Sequence, residues 1–152
     1  MASQSAGILM YRKKEELEVL LVHPGGPFFA RKDLGSWSIP KGIYVSGEDA
    51  LDAAKREFEE ETGFKPEGDF IALKPVKLKS GKEVKAWACE GDLDASAIVS
   101  NSFDIEWPPR SGKRQTFPEV DKAGWFGLQV ATQKMNERQI PFLEELKSLL
   151  KL

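Results

Sequence analysis

The chain is short of several residue types, and each shortage narrows what it does. One cysteine, Cys89, stands among 152 residues, which excludes an internal disulfide framework and a cysteine-rich zinc site. One histidine, His23, closes an apolar run before Pro24 and belongs to no motif; it reads as structural and not as catalytic. The net charge is only −2, from 22 basic and 24 acidic side chains, so no global field draws in nucleic acid or an anionic membrane. A polyanion would have to be held locally, by a metal or a small basic loop. No stretch approaches the roughly 18 successive apolar residues of a membrane span. Met1 to Gly7 has neither the basic patch nor the apolar stretch of a secretory signal. A cytoplasmic protein with no membrane partner is expected.

What is present is an ordinary globular composition, 41% hydrophobic and 30% charged, without internal repeat, linker or low-complexity segment. The chain is long enough to close a core as one domain over residues 1–152. Ile8–Arg12 and Val19–His23 are short aliphatic runs separated by Lys13-Lys14-Glu15-Glu16, the pattern of a β-hairpin with a solvated turn. Pro24-Gly25-Gly26-Pro27 stops regular structure, and residues 28–39 are predicted as a loop with a short strand. Further strands are predicted at 69–75, 83–90, 102–107 and 123–128, with an exposed loop at 108–114. In the second of these, Lys85, Trp87 and Cys89 share a face. Helices follow near 130–137 and, with Pro141 as an early residue, to about Leu150. Strands, one helix, more strands, then helices make a mixed α/β or α+β sandwich.

Ser46 to Gly63 carries the punctuation of the middle helix: Ser46 as N-cap, Asp49 three residues on, and Gly63 as a left-handed stop. Leu51, Ala54 and Phe58 follow the i, i+3, i+7 spacing of a buried stripe. At about 100° per residue, Glu57, Glu60 and Glu61 fall within an arc of about 100°, and Glu59 points away. Ala50 and Ala53 project on the acid side and are expected to leave room above it for ions and a ligand. The plain alternative is a solvated helix with i,i+4 charge pairs. Against it, only Lys55 and Arg56 balance four acids in five positions, and a tight glycine turn at Lys41-Gly42 lies just before. Carboxylates at this density suit a hard cation such as Mg²⁺, which takes oxygen ligands, keeps several waters and shares substrate phosphates with one or two carboxylates.

From residue 42 the chain reads Gly42, five residues, Glu48, seven residues, then Arg56-Glu57-Phe58-Glu59-Glu60-Glu61-Thr62-Gly63-Phe64. This register, G-x5-E-x7-R-E-U-x-E-E-x-G-U with U a bulky apolar residue, resembles the Nudix box at every specified position. The flanks are similar too: strands before the box, Trp37-Ser38-Ile39-Pro40-Lys41-Gly42 leading in, and Pro118-Glu119-Val120 ahead of Trp125-Phe126. The resemblance implies a Nudix-type α/β/α sandwich with a mixed β-sheet. It also implies Mg²⁺- or Mn²⁺-dependent hydrolysis of a nucleoside diphosphate linked to another moiety. Glu57, Glu60 and Glu61 are then the metal ligands, helped by a backbone carbonyl of Lys41 or Gly42. Arg56 orients a glutamate, and Glu48 anchors loop and helix or takes part through water. Glu119 stands where some members place one more acid over the metals; an exposed loop carboxylate is the alternative. Cleaving a pyrophosphate needs charge neutralised on the bridging oxygens and a water in line. A glutamate must take a proton, and Glu57 and Glu60 rank ahead of Glu119. One departure is Val45, where many relatives carry an acid; Ile43-Tyr44-Val45 makes the lead-in loop apolar.

Substrate contacts are less sharply marked. Arg110, Lys113 and Arg114 gather around Gly112 and suit phosphate contact by point charges and a guanidinium fork. Arg31 and Lys32 follow Phe28-Phe29 and extend toward the same cleft, and Lys41 stands beside it. Trp37, Phe103, Trp107 and Trp87 are the candidate stacking platforms for a base, Trp37 being the one in the expected substrate set. The expected substrate is a nucleoside triphosphate. Diadenosine polyphosphate is the alternative, because the Trp37-x-x-Pro40-Lys41-Gly42 lead-in is similar to that of members that cleave it. A 5′-triphosphate RNA end ranks lower, since a net charge of −2 offers no extended basic track. A nucleotide sensor also ranks lower, because such proteins lose box acids that are all present here.

Overall fold

The structure, a computed structural model, describes residues 4–152; the reading of the chain's start at Met1, Ala2 and Ser3 lies outside the described residues. In chain order the elements are β1 (Gln4–Lys13), β2 (Leu17–Pro24), β3 (Lys41–Tyr44), α1 (Ala50–Thr62), β4 (Ile71–Ala72), β5 (Val76–Lys77) and β6 (Glu83–Glu90). After them come β7 (Ser102–Glu106), β8 (Arg114–Pro118), β9 (Val120–Gly127), α2 (Leu128–Lys134) and α3 (Ile140–Leu149). The main sheet runs β4-β6-β1-β2-β9, with β3 also paired to β1 and β5 to β6. β1 and β6 are parallel and their other pairings antiparallel, so the sheet is mixed. β7 and β8 form a separate hairpin.

Alternation along the strands sorts the core into two layers. Ala6, Ile8 and Met10 of β1, with Leu20 and Cys89, meet Ala53, Ala54 and Phe58 of α1. Leu9, Val19, Leu21, Val84 and Ala86 point the other way, against Ala131 and Met135 and the Phe142, Leu143 and Leu146 face of α3. The result is the α/β/α sandwich with a mixed sheet that the resemblance implied. Among the described residues no helix is long and apolar enough to cross a membrane.

Several boundaries differ from the sequence reading. α1 starts at Ala50, and its N-cap is Asp49, whose carboxylate accepts the Asp52 N–H at 3.0 Å; Ser46 lies in the preceding turn. Gly47, at φ +96°, prolongs that turn and delays the helix. The far end is as read: Gly63 takes φ +81° and donates its N–H to Glu59. Ala53 is fully buried against β1 and leaves no room for a ligand. Residues 69–75 do not make one strand; β4 and β5 are two-residue fragments on the edge of β6. β3 and β8 were unmarked in the sequence. β3 is four residues including a glycine, and β8 has Phe117 as its one large apolar residue, so neither shows a period of two.

Phe58 fastens α1 to the sheet and is fully buried. Phe58→Ala is expected to lower unfolding free energy by about 3–5 kcal/mol through lost burial and the cavity left behind. Urea titration reads this as a fall in midpoint at an unchanged m-value; a loss below about 1 kcal/mol would mean that the helix is not held there.

Candidate active site

Burying the Ala53–Phe58 face of α1 leaves its acidic side against the crossing strand β3. There the chain is at its closest: a Cβ built on Gly42 would overlap the carboxylate of Glu57. A larger residue at this position would push the Glu57 carboxylate out of its present place, and the glycine is not there for a positive φ. One turn further on, Glu61 Oε1 accepts the backbone N–H of Lys41 at 3.3 Å. Arg56 spans the cluster. Its Nε and Nη2 donate to the two oxygens of Glu48 at 3.1 and 3.2 Å, while Nη1 donates to Glu57 at 2.8 Å and Glu60 at 3.2 Å. The first fork ties the turn before α1 to the helix. The second draws two like charges together.

Glu119 reaches the same place from the far end of the chain. The Asn101 N–H donates to the Glu60 carbonyl at 2.7 Å, the Glu119 N–H to the Asn101 carbonyl at 2.8 Å, and the Gly25 N–H to the Glu119 carbonyl at 2.9 Å. Glu57, Glu60, Glu61 and Glu119 therefore line one cleft of about 360 Å³, together with Gly42 and Ser5. A second cleft, of about 450 Å³, shares Lys41, Glu61 and Glu119 with the first and adds Phe29, Lys32 and Gln139. The two meet along the Lys41–Glu61–Glu119 wall.

The electrostatics follow from crowding acids in a partly dry place. Burial pushes the Glu61 carboxyl up to about 8; the charges of Glu57 and Glu119 add to this, and Lys41 opposes it. Burial and then Glu60 raise Glu57 against the pull of Arg56. Glu119 is raised by desolvation and by Glu60. Lys41 is lowered by burial and then by Lys82, with Glu61 and Glu57 opposing. Arg56 is raised, first by its bonds to Glu48.

Among the described residues, no three acidic, histidine or cysteine side chains close around a single point. Glu57 and Glu60 turn to Arg56, and Glu61 turns to the Lys41 N–H. The donor set nevertheless fits a hard cation. It is all oxygen, an open row suits an ion that keeps waters and shares a phosphate, and burial raises the carboxyls of Glu57, Glu61 and Glu119. The buried Ser5 hydroxyl in the wall of the same cleft has no hydrogen-bond partner.

The other residues singled out from the sequence lie elsewhere. Trp37 is 4% exposed, donates its indole N–H to Asp33 at 2.7 Å, and packs edge-on against His23 and Phe126. It is a core residue, not an open stacking platform. Trp87 packs in the layer beneath α1, and Phe103 and Trp107 pack against Phe117 and Phe28 in and beside the β7–β8 hairpin. Arg110 and Lys113 sit in the exposed tip of that hairpin and Arg114 opens β8; none of the three lines either cleft. Arg31 is exposed outside both, whereas its neighbours Phe29 and Lys32 line the larger one. Gln139 escaped the sequence reading. It lies far along the chain and reaches the cleft by accepting the Ile39 N–H at 3.1 Å and donating to Ser38 at 3.0 Å.

Comparison with known proteins gives one consistent grouping. The sequence profile described as NUDIX domain matches residues 1–146. Over 85 residues the chain is 38% identical to the RNA pyrophosphohydrolase of Erythrobacter litoralis (strain HTCC2594), and the match spans 52% of each chain. It thus covers about half the length of that curated relative. The fold superposes on Ap4A hydrolase of C. elegans with a TM-score of 0.66 at 22% identity, over 99% of this chain and 98% of that one. It also superposes on the NUDIX domain of Shewanella oneidensis NrtR complexed with ADP ribose, with a TM-score of 0.68 at 16% identity, over 99% and 89%. At these identities the likeness is one of fold.

The raised Glu61 makes a prediction for the metal-free protein. The folded chain holds this proton more tightly than the unfolded chain, whose carboxyl has the ordinary value of 4.5. Its contribution to stability is complete below the ordinary value and lost as pH rises through about 8. Glu57 and Glu119 act in the same direction. The thermal midpoint is expected to fall from about pH 5 to about pH 8, and Glu61→Gln to flatten that fall. An unaltered slope in the variant would show that Glu61 is not the group responsible.

Proposed function

The chain belongs to the Nudix hydrolase family, and we propose that it hydrolyses a phosphoanhydride in a nucleoside diphosphate linked to another moiety. The observation that carries this reading is the row of four carboxylates at the junction of two clefts. Glu57, Glu60 and Glu61 would hold Mg²⁺ or Mn²⁺, with Glu119 facing them. When bound, the ion supplies charge neutralisation on phosphate oxygens and makes an attacking water more acidic.

The remaining work falls to the chain. Arg56 sets the orientation of Glu57 and Glu60 by donating to both. Glu60 is the more accessible of the two, at 36% against 13% for Glu57, and is the better placed to accept a proton from water. Glu57, pressed against Gly42, is the more rigid and serves as ligand. Lys41 lines both clefts and would meet a polyphosphate that crosses from one to the other. The larger cleft takes the nucleoside, with Phe29 as the aromatic face and Lys32 beside it. Direct phosphate contact is thereby assigned to Lys41 and Lys32, ahead of Arg31 and the Arg110, Lys113 and Arg114 group. A cytoplasmic setting is part of the same reading, supported by a buried thiol, Cys89, that pairs with no other cysteine.

A nucleoside triphosphate is the leading substrate. A triphosphorylated RNA 5′ end is the second reading, favoured by the identity to the Erythrobacter litoralis protein. A diadenosine polyphosphate is the third, for which the Caenorhabditis protein of like fold is the precedent. Incubating a panel of these with Mg²⁺ or Mn²⁺ and separating the products distinguishes them. Monophosphate plus pyrophosphate is expected from the triphosphate, while ATP plus AMP from the dinucleotide would shift the assignment. Glu60→Gln is expected to lower kcat by about 10²–10⁴-fold with nucleotide affinity retained. No turnover of any member with either ion would overturn the proposal.

A further inference from the structure

His23 is the chain's only histidine and is 1% exposed, yet both ring nitrogens are engaged. Nδ1 lies 2.8 Å from Asp121 Oδ1, and Nε2 lies 2.7 Å from the backbone carbonyl of Lys32. A carboxylate and a carbonyl can only accept. A neutral imidazole carries one N–H and would leave a lone pair facing a lone pair at one of two short contacts. The doubly protonated ring satisfies both, and Asp121 supplies the opposite charge.

Asp121 is delivered by a break in the sheet. In the β2–β9 ladder His23 pairs with Lys122 and Pro24 with Val120, so Asp121 is the extra residue of a bulge. Bulges re-aim side chains beside functional sites. The charged neighbours come from every element packed nearby. Lys122 of β9 and Lys134 of α2 stand 5.6 and 5.8 Å from the centre of Trp37, whose ring meets the imidazole at 5.3 Å. Asp33 holds both Lys134 and the Trp37 indole.

The bridge joins two parts of the larger cleft. Lys32 belongs to the loop at 25–36 that brings Phe29 and its own side chain into that cleft, and Asp121 follows Glu119 by two residues. The loop is fixed at its start by the Gly25 N–H to Glu119 and at its end by the Gly35 N–H to Gln133. Between those points Asp33 accepts from the Trp37 indole and from Lys134 of α2, and the His23 contact ties Lys32 to β2 of the sheet. We propose that His23, held as an imidazolium by the bulged Asp121, is a positioning residue that fixes the Phe29–Lys32 wall against which a nucleotide binds. The substrate part of this inference rests on the reading of the cleft given above.

A single histidine makes the test direct. Ring-nitrogen NMR of the untagged ¹⁵N-labelled protein at neutral pH is expected to show both nitrogens as N–H; one bare nitrogen overturns the charged bridge. In H23Q, amide exchange over residues 29–36 is expected to quicken about tenfold while α1 is unchanged. Nucleotide KM is expected to rise about tenfold with kcat within about twofold. D121N, which keeps the shape of the partner and removes its charge, is expected to act in the same direction by a smaller factor, and it decides the matter if H23Q does not fold. Unchanged exchange in the loop, or equal losses in kcat and kcat/KM, overturns the positioning role. A wild-type chain that turns over no nucleotide defeats the reading of the cleft, while the NMR and exchange results still decide whether His23 pins the loop.

Discussion

Like charges crowded at the edge of a protein repel one another, and the acidic side of α1 exists because Arg56 holds it together. One guanidinium uses one edge on Glu48 and the opposite corner on Glu57 and Glu60. Its planar fork permits this; an ammonium, a single point charge, would not fix two directions at once. The first contact sets where the turn before the helix lies, and through it where β3 crosses. The second sets how close two carboxylates come. Geometry of the backbone and geometry of the acids are thus fixed by one side chain. Glu61 lies outside this fork, and burial is what raises its carboxyl to about 8.

The fold serves this arrangement from two sides. α1 is bound to the sheet by Ala53, Ala54 and Phe58, so its acidic side is presented by a rigid element. On the other side the site borrows from distant chain. Asn101 docks on the end of α1 and carries Glu119 with it, and Gly25 docks on Glu119 in turn. Four segments remote in sequence, at Glu60, Asn101, Glu119 and Gly25, are laid edge to edge by three backbone hydrogen bonds. The carboxylate of Glu119 is brought in by main chain alone, which is why it tolerates being among the more exposed members of the set.

The sequence reads well where information is local and periodic. The helix, its glycine stop, the buried stripe and the side on which Glu57, Glu60 and Glu61 lie all follow from spacing within 23 residues. The helix start is not legible because Gly47 extends the turn, a choice of backbone that Ser46 and Asp49 do not reveal between them. The place of Trp37 is hidden for a different reason. An aromatic beside a catalytic motif looks available, and only the Asp33 carboxylate, met in three dimensions, shows its indole turned inward. Lys32, beside Phe28-Phe29, is legible as a residue that reaches the cleft, whereas Gln139 carries no local mark because pairing and packing alone bring it there. The basic residues at 110–114 illustrate the converse: clustered charge is plain in the sequence, but the direction in which a hairpin points it is not.

β1 divides one of its edges between two partners. Residues 4–7 pair with β3, residues 11–13 pair with β2, and the two partners diverge in the interval. Val22, Ser38, Ile39 and Lys41, which line the larger cleft, come from the arms of this fork and the segment between them. The void is therefore framed on one side by hydrogen-bonded strand backbone, with the loop at 25–36 as another of its walls. Wall and frame are thus different kinds of structure: one edge of the void is continuous sheet, and the other is a loop pinned at Gly25, Lys32, Asp33 and Gly35.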